Sequence, residues 1–235
     1  GTTATNNDGN RTTTVQANTT AGFSIVTYLS NGSASNQTLG HGLGVAPDVI
    51  ISKRRGATTD WLVYHKSLGV GSIIYLNSSA ASSTSSPPYK DTPTSTVFST
   101  QNQFQATDNF VSYCFAEKQG YSKFGSYTSN GNANGPFVYT GFKPAMIIAH
   151  RSSNNNKQWL IKDNARNPSN EVDFNLYPNS GSAETNTNVR HEIDFLSNGF
   201  KIRDQYDLNQ AGGTFIYMAW AENPFVAGGI PTTAR

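Results

Sequence analysis

Two similar phrases of this chain, FVSYCFAE and FIYMAWAE, each end in a glutamate, Glu117 and Glu222. A pair of carboxyls held about 5 to 10 Å apart is what glycosidic cleavage needs, one to protonate the leaving oxygen and one to serve the opposite face of the sugar. Each glutamate also closes a strand-like run, and the preferred reading is that each caps the end of its strand or meets a neighbouring Lys or Arg. The four histidines, His41, His65, His150 and His191, show no short metal-ligand spacing, and Cys114 stands alone. Neither is a paired Cys/His signature, so no metal is expected. The run GHGLG from Gly40 lies between two strand-like segments with no helix behind it to cradle a phosphate, so its glycines serve turn geometry. No nucleophile elbow is present either. No catalytic residue, metal ligand or cofactor is therefore assigned.

The aromatic residues raise a different chemistry. Trp61 and Trp159 are of the type that stacks on the apolar faces of pyranose rings. They recur in matching contexts, however, which favours a core role, and with Phe115 and Trp220 they are expected to be buried. The basic cluster Lys53–Arg55 is short and reads as a strand end rather than a nucleic-acid contact. Charged residues make up 14% of the chain and the net charge is +2, which leaves no strong field to steer nucleic acid or an acidic partner. There is no apolar run of about 18 residues and no basic-then-apolar leader, so neither membrane insertion nor secretion is expected. One cysteine cannot form an intrachain disulfide, which is compatible with folding in a reducing cytoplasm.

The elements that must position these residues are strands. FSIVTYLSNG is a strand closed by an Asn-Gly turn, PDVIISKR begins after a proline, and DWLVYHK and GSIIYLNSS are rich in β-branched and aromatic residues. In NFVSYCFAE both faces carry apolar residues, as in a central strand covered on both sides. Helical periodicity is absent. Several blocks recur in order: Tyr28 matches Tyr127, Pro47 matches Pro144, Ile50 matches Ile147, Arg54 matches Arg151, Trp61 matches Trp159, Leu76 matches Leu176 and Glu117 matches Glu222. The offsets run only from 97 to 105, a drift that loop insertions between fixed strands produce.

The fold expected is all-β, with two tandem, internally duplicated β-sandwich (jelly-roll-like) units packed as a pseudo-twofold pair. Residues 1–21 hold almost no large apolar side chain and read as an extended arm or linker. Residues 22–120 form the first repeat, 121–227 the second, and 228–235 a C-terminal tail.

The blocks GFSIVTY, GHGLGVAPDVIISK, WLVYHKSLG, YCFAEKQGYSKFGSYTSNG, GPFVYTGFKPAMII, DFLSNGFKIR and GGTFIYMAWAENPF span residues 22–225. Over nearly the whole chain they resemble an uncharacterised domain of tailed-bacteriophage virion proteins, frequent in marine phages and usually at the C-terminal end of tail-fibre or other structural polypeptides. The resemblance implies a component of the virion, made in the host cytoplasm. It brings no assigned catalytic or binding residue.

Function is then sought in what the repeats do not share. The candidates are the insert SSTSSPPYKDTPTST with Tyr89, expected to be a surface loop, RSSNNNKQ with Asn154, and RDQYDLNQAGG with Tyr206. Tyr, Asn, Ser and Gly beside Arg and Lys suit adaptable hydrogen bonding to a polar surface. The expectation is a non-catalytic tail-fibre or tail-tip module that recognises host-surface polysaccharide. The alternatives are an architectural virion protein, such as a capsid decoration or fibre segment, and a glycan-degrading enzyme. Partners would be other virion proteins and copies of itself, most simply in a homotrimer.

Overall fold

The structure is a computed structural model and describes residues 2–32, 36–101, 104, 107–154, 156–186 and 191–224. The expected tail, 228–235, lies outside the described residues. The chain is all-β and divides into two compact units, one of Gly1–Leu76 and Ser82–Glu117, the other of Asn77–Ala81 and Lys118–Arg235.

The first unit contains β1 (Ala4–Asn6), β2 (Thr13–Asn18), β3 (Phe23–Leu29), β4 (Gln37–Gly40), β5 (Val49–Arg54), β6 (Leu62–His65), β7 (Ile74–Tyr75), β8 (Val97–Thr100) and β9 (Asn109–Phe115). Seven of them form a sheet in the order β1-β2-β3-β9-β5-β6-β7, and β4 pairs with β8 in a small second sheet. The alternation in β3 and β9 sends Val26, Tyr28, Phe110 and Cys114 to one face of the large sheet. There they join Ile50, Leu62 and Tyr64 from β5 and β6 and meet Leu39 and Phe98 from the small sheet in one buried cluster. The arrangement is sandwich-like.

Residues 1–21 differ from expectation. They supply β1 and β2, which extend the edge of the large sheet beside β3. Their ordering rests on ladder hydrogen bonds and on Thr13 and Val15, both buried, rather than on bulk of apolar surface. Cys114 is fully buried within the same core, and burial pushes its thiol well above the ordinary range. A neutral, enclosed thiol is a poor nucleophile. Native protein is therefore expected to leave 5,5′-dithiobis(2-nitrobenzoate) unreduced over hours and to react within minutes in denaturant; fast native labelling would refute the burial.

The second unit contains β10 (Ser122–Thr128), β11 (Phe137–Tyr139), β12 (Pro144–Arg151), β13 (Leu160–Asp163), β14 (Phe174–Asn175), β15 (Thr185–Asn186), β16 (Ile193–Leu196), β17 (Gly199–Ile202) and β18 (Thr214–Ala221). Its larger sheet runs β10-β18-β12-β13, its second sheet β11-β17-β16, and β14 pairs with β15. Tyr127, Ile147, Leu160, Phe215 and Tyr217 from the first of these share a buried cluster with Val138, Ile193, Phe195, Phe200 and Ile202 from the second.

The strand orders β3-β9-β5-β6 and β10-β18-β12-β13 correspond, and so do their registers. Tyr28 faces Phe110 where Tyr127 faces Phe215, and Arg54 faces Phe110 where Arg151 faces Phe215. The rings of Tyr28 and Phe110 stack at 5.7 Å, those of Tyr127 and Phe215 at 5.0 Å. Backbone hydrogen bonds outside the ladders correspond too: Ser30 N–H donates to Asp108 O at 3.0 Å, and Ser129 N–H to Gly213 O at 2.9 Å. In the turn after each first strand, Gly32 and Gly131 hold φ of 72° and 69°, the left-handed region that favours glycine.

Of the four aromatic residues expected in the core, Trp159 is buried, while Trp61, Phe115 and Trp220 are half-buried. The three belong to the sheet faces turned away from the two clusters. There they pack on flat neighbours, Trp61 on Tyr113 at 6.4 Å, Phe115 on Phe23 at 4.9 Å and Trp220 on Phe124 at 5.7 Å.

Candidate functional site

The three residues singled out for binding have three different environments. Tyr89 is 1% exposed, so part of the expected surface loop is core. Its ring lies against Tyr64, Phe98 and Phe104, and its hydroxyl donates to Ser52 Oγ at 2.9 Å. The adjacent prolines explain the inward turn: they fix the backbone of the insert and place a large apolar ring where the core has room. Asn154 is exposed, as is Tyr206 at 44%. Their two loops meet at a cavity whose lining includes neighbours of both.

That cavity, about 380 Å³ and wholly within the second unit, is lined by residues that include Arg151, Asn156, Lys157 and Gln158 from the loop after β12 and Asp207 and Leu208 from the loop after β17. Tyr177, Ser182, Thr185 and His191 contribute further walls. Asp207 is its charged centre, accepting from Lys157 Nζ at 2.9 Å and facing His191 Nε2 at 2.8 Å. The hydrogen bond from His191, then that from Lys157, hold its carboxyl well below the usual range against the opposing effect of burial. Arg151, at the end of β12, donates through Nε to Ser153 Oγ at 3.4 Å and through Nη1 to the Gln210 side-chain oxygen, with its guanidinium 6.0 Å from the Phe215 ring centre. Behind it His150 stacks on Trp159 at 4.6 Å and donates Nε2–H to the Ala80 carbonyl at 3.1 Å. Burial pushes the His150 imidazole down from its ordinary value, so it is a neutral wall.

The first unit has a smaller cavity, about 220 Å³, at the corresponding place. Its lining residues Arg54, Asp60, Leu62 and Phe110 stand where Arg151, Gln158, Leu160 and Phe215 stand in the second unit. Here the arginine is neutralised: Arg54 Nε lies 2.7 Å from Asp108 Oδ2, and that bond holds the Asp108 carboxyl below its ordinary range.

The two glutamates belong to different units and each meets a lysine of its own. Glu117 pairs with Lys66 at 2.6 Å, and Glu222 with Lys143 at 2.9 Å. Among the described residues no group of three or more His, Cys, Asp or Glu is arranged to hold a metal ion.

Sequence reasoning found both loops but not the residues within them. Lys157 and Asp207 are ordinary in type, and His191 was set aside for want of metal spacing; only Arg151 carried a signal, as the counterpart of Arg54.

Fold and site together define a two-unit all-β protein with a polar, mixed-charge cavity in its second unit. Residues 1–224 match a family described as a domain of unknown function, DUF7483, and the chain belongs to that family. No curated protein and no solved structure matches it.

Proposed function

We propose that the chain is a tandem duplication of one β-sandwich unit and works as a non-catalytic module of a phage virion, at a tail fibre or tail tip, that contacts host-surface polysaccharide. Correspondence of strand order, register and non-ladder hydrogen bonds between the units supports the duplication. The observation that carries the binding role is the convergence of the two unshared loops, 151–158 and 203–213, on one cavity lined by cations, an acid, hydroxyls, amides and a tyrosine. Such a lining offers directional hydrogen bonds to a polar ligand, and a glycan itself brings little apolar area to bury, so a single site is weak and attachment depends on several linked copies.

The test is adhesion of purified protein to host cells. Replacing residues 153–156 or 205–206 by Gly-Ser is expected to abolish cell coating while the melting temperature stays within a few degrees, because no described residue of either segment belongs to the buried clusters. Glycan chain length should be unchanged after incubation; shortening would indicate an enzyme instead.

A second reading, an architectural virion protein that joins copies of itself, is favoured by β11. This edge strand exposes Phe137 at 45% and Tyr139 at 64%, and exposed aromatic rings on an open edge suit assembly. A homotrimer is the simplest assembly, and mass measurement of the native protein tests it. Loss of the oligomer and of cell coating in Tyr139→Ser, with single-site binding of a soluble glycan kept, would assign the strand to assembly and the cavity to recognition.

A further inference from the structure

We infer that the cavity of the second unit takes an acidic sugar, whose carboxylate lies on Arg151 beside Lys157. The inference rests on the binding role proposed above and names the ligand class.

Arg151 is only 6% exposed. An arginine cannot shed its proton to escape burial, so a charge taken this far from water calls for a counter-charge. Among the described residues it has none: its hydrogen bonds go to a serine hydroxyl and a glutamine oxygen, both neutral, and Nη2 has no hydrogen bond. Arg151 is one of the residues that line the cavity.

The first unit shows what is missing. Its matching residue, Arg54, has Asp108. The residue that accepts from Ser30 is Asp108, and the residue that accepts from the matching Ser129 is Gly213, so a glycine stands where the internal acid stood. A Cβ on Gly213 would lie 2.8 Å from Arg151 Nε and 2.9 Å from both Ser129 Oγ and a ring carbon of Phe215. The guanidinium fills the room an acid would need. One unit therefore closes its arginine with its own carboxylate, and the other, with no room for one at 213, leaves its arginine to a carboxylate that arrives through the cavity.

Charge and size decide which ligand. Lys157 and Asp207 pair, which leaves Arg151 as the cation of the lining without an acid of its own. One carboxylate balances it, whereas a phosphate dianion leaves an excess negative charge beside Asp207. A planar carboxylate also matches the two parallel donors of a guanidinium. The remaining lining, Tyr177 and Thr185 with their hydroxyls 3.0 Å apart together with Gln158, offers donors and acceptors for ring hydroxyls. The volume of 380 Å³ lies within the range of about 300–1,000 Å³ usual for small-molecule sites.

Isothermal titration of the intact chain with trigalacturonate, with the same trisaccharide after reduction of its carboxyls, and with glucose 6-phosphate separates the outcomes. The expected result is that trigalacturonate binds at least about 10-fold more tightly than the reduced form, the scale of a charge-assisted hydrogen bond. Arg151→Gln should remove that preference and Lys157→Gln should weaken it, while Arg54→Gln leaves it intact. If Arg151→Gln fails to fold, Lys157→Gln alone must reduce the preference. Equal binding of the reduced trisaccharide overturns the acidic assignment and leaves the glycan-binding role standing. Tighter binding of glucose 6-phosphate overturns the choice of carboxylate. No heat with any of the three overturns the inference, and the loop replacements on whole cells then judge the binding role by itself.

Discussion

Lys162→Met is expected to stabilise the protein, by about 1–4 kcal/mol at pH 6, and to lose most of that advantage by pH 10. Lys162 lies on β13 opposite Ile147, fully buried, with Nζ donating to the Val172 carbonyl at 3.1 Å. Burial lowers its ammonium from the ordinary value of 10.5 to about 7, with Asp173 partly opposing the shift. Between about pH 10 and pH 7 the unfolded chain carries a proton here that the folded chain does not, so stability falls as pH falls through that window. Below pH 7 the folded lysine is charged as well, and the full cost of burying it is present. Methionine fills similar volume with no charge, and the Val172 carbonyl keeps a bond from the Ile193 N–H at 3.3 Å. Urea unfolding of both proteins at pH 6 and pH 10 checks the claim. A gain that does not shrink with pH would mean that the folded lysine binds its proton as the unfolded chain does, so that burial does not lower its pKa.

Lys162 also shows where sequence reasoning stops. In the run WLIKDN alternation puts Lys162 on the face of Leu160, and the charge of a lysine argues for solvent there. The face is covered instead by residues far along the chain, Val172 and Ile193, and nothing local signals that cover. Strands and their turns were legible because β-branched and aromatic runs, prolines and Asn-Gly pairs are local features. The repeat was visible because Tyr28 and Tyr127, or Arg54 and Arg151, keep both type and order. The N-terminal strands were missed because Thr13 and Val15 are too few to mark a buried face, although a single valine and a threonine suffice once β3 offers a free edge. The cavity was half legible: loop composition pointed to 151–158 and 203–213, but bringing Lys157 to Asp207 is a property of the folded loops. The absent counter-ion of Arg151 needed both units side by side, since only the matching of Asp108 to Gly213 reveals that a carboxylate is lacking.

Tyr89→Ala is expected to cost about 3–5 kcal/mol and to act on stability rather than on recognition. In sequence Tyr89 belongs to the same class as Asn154 and Tyr206, a polar-loop residue near an insertion. In the structure its ring is the plug of the first unit's core, 5.7 Å from Tyr64 and 5.8 Å from Phe104, and its removal leaves a void that those rings cannot close without leaving their own contacts. Tyr89→Phe keeps the ring and removes the bond to Ser52, which retains its partner Ser112 Oγ at 2.6 Å, and the longer one to the Ile50 carbonyl at 3.4 Å. That change should cost about 0.5–1.5 kcal/mol. Urea unfolding gives both values, and the host-cell assay completes the argument. Tyr89→Phe should adhere as well as the unaltered chain, in contrast to the loop replacements at 153–156 and 205–206. If Tyr89→Phe folds with only this small loss and yet fails to coat host cells, the hydroxyl has a role in recognition and the cavity of the second unit is not the site of attachment.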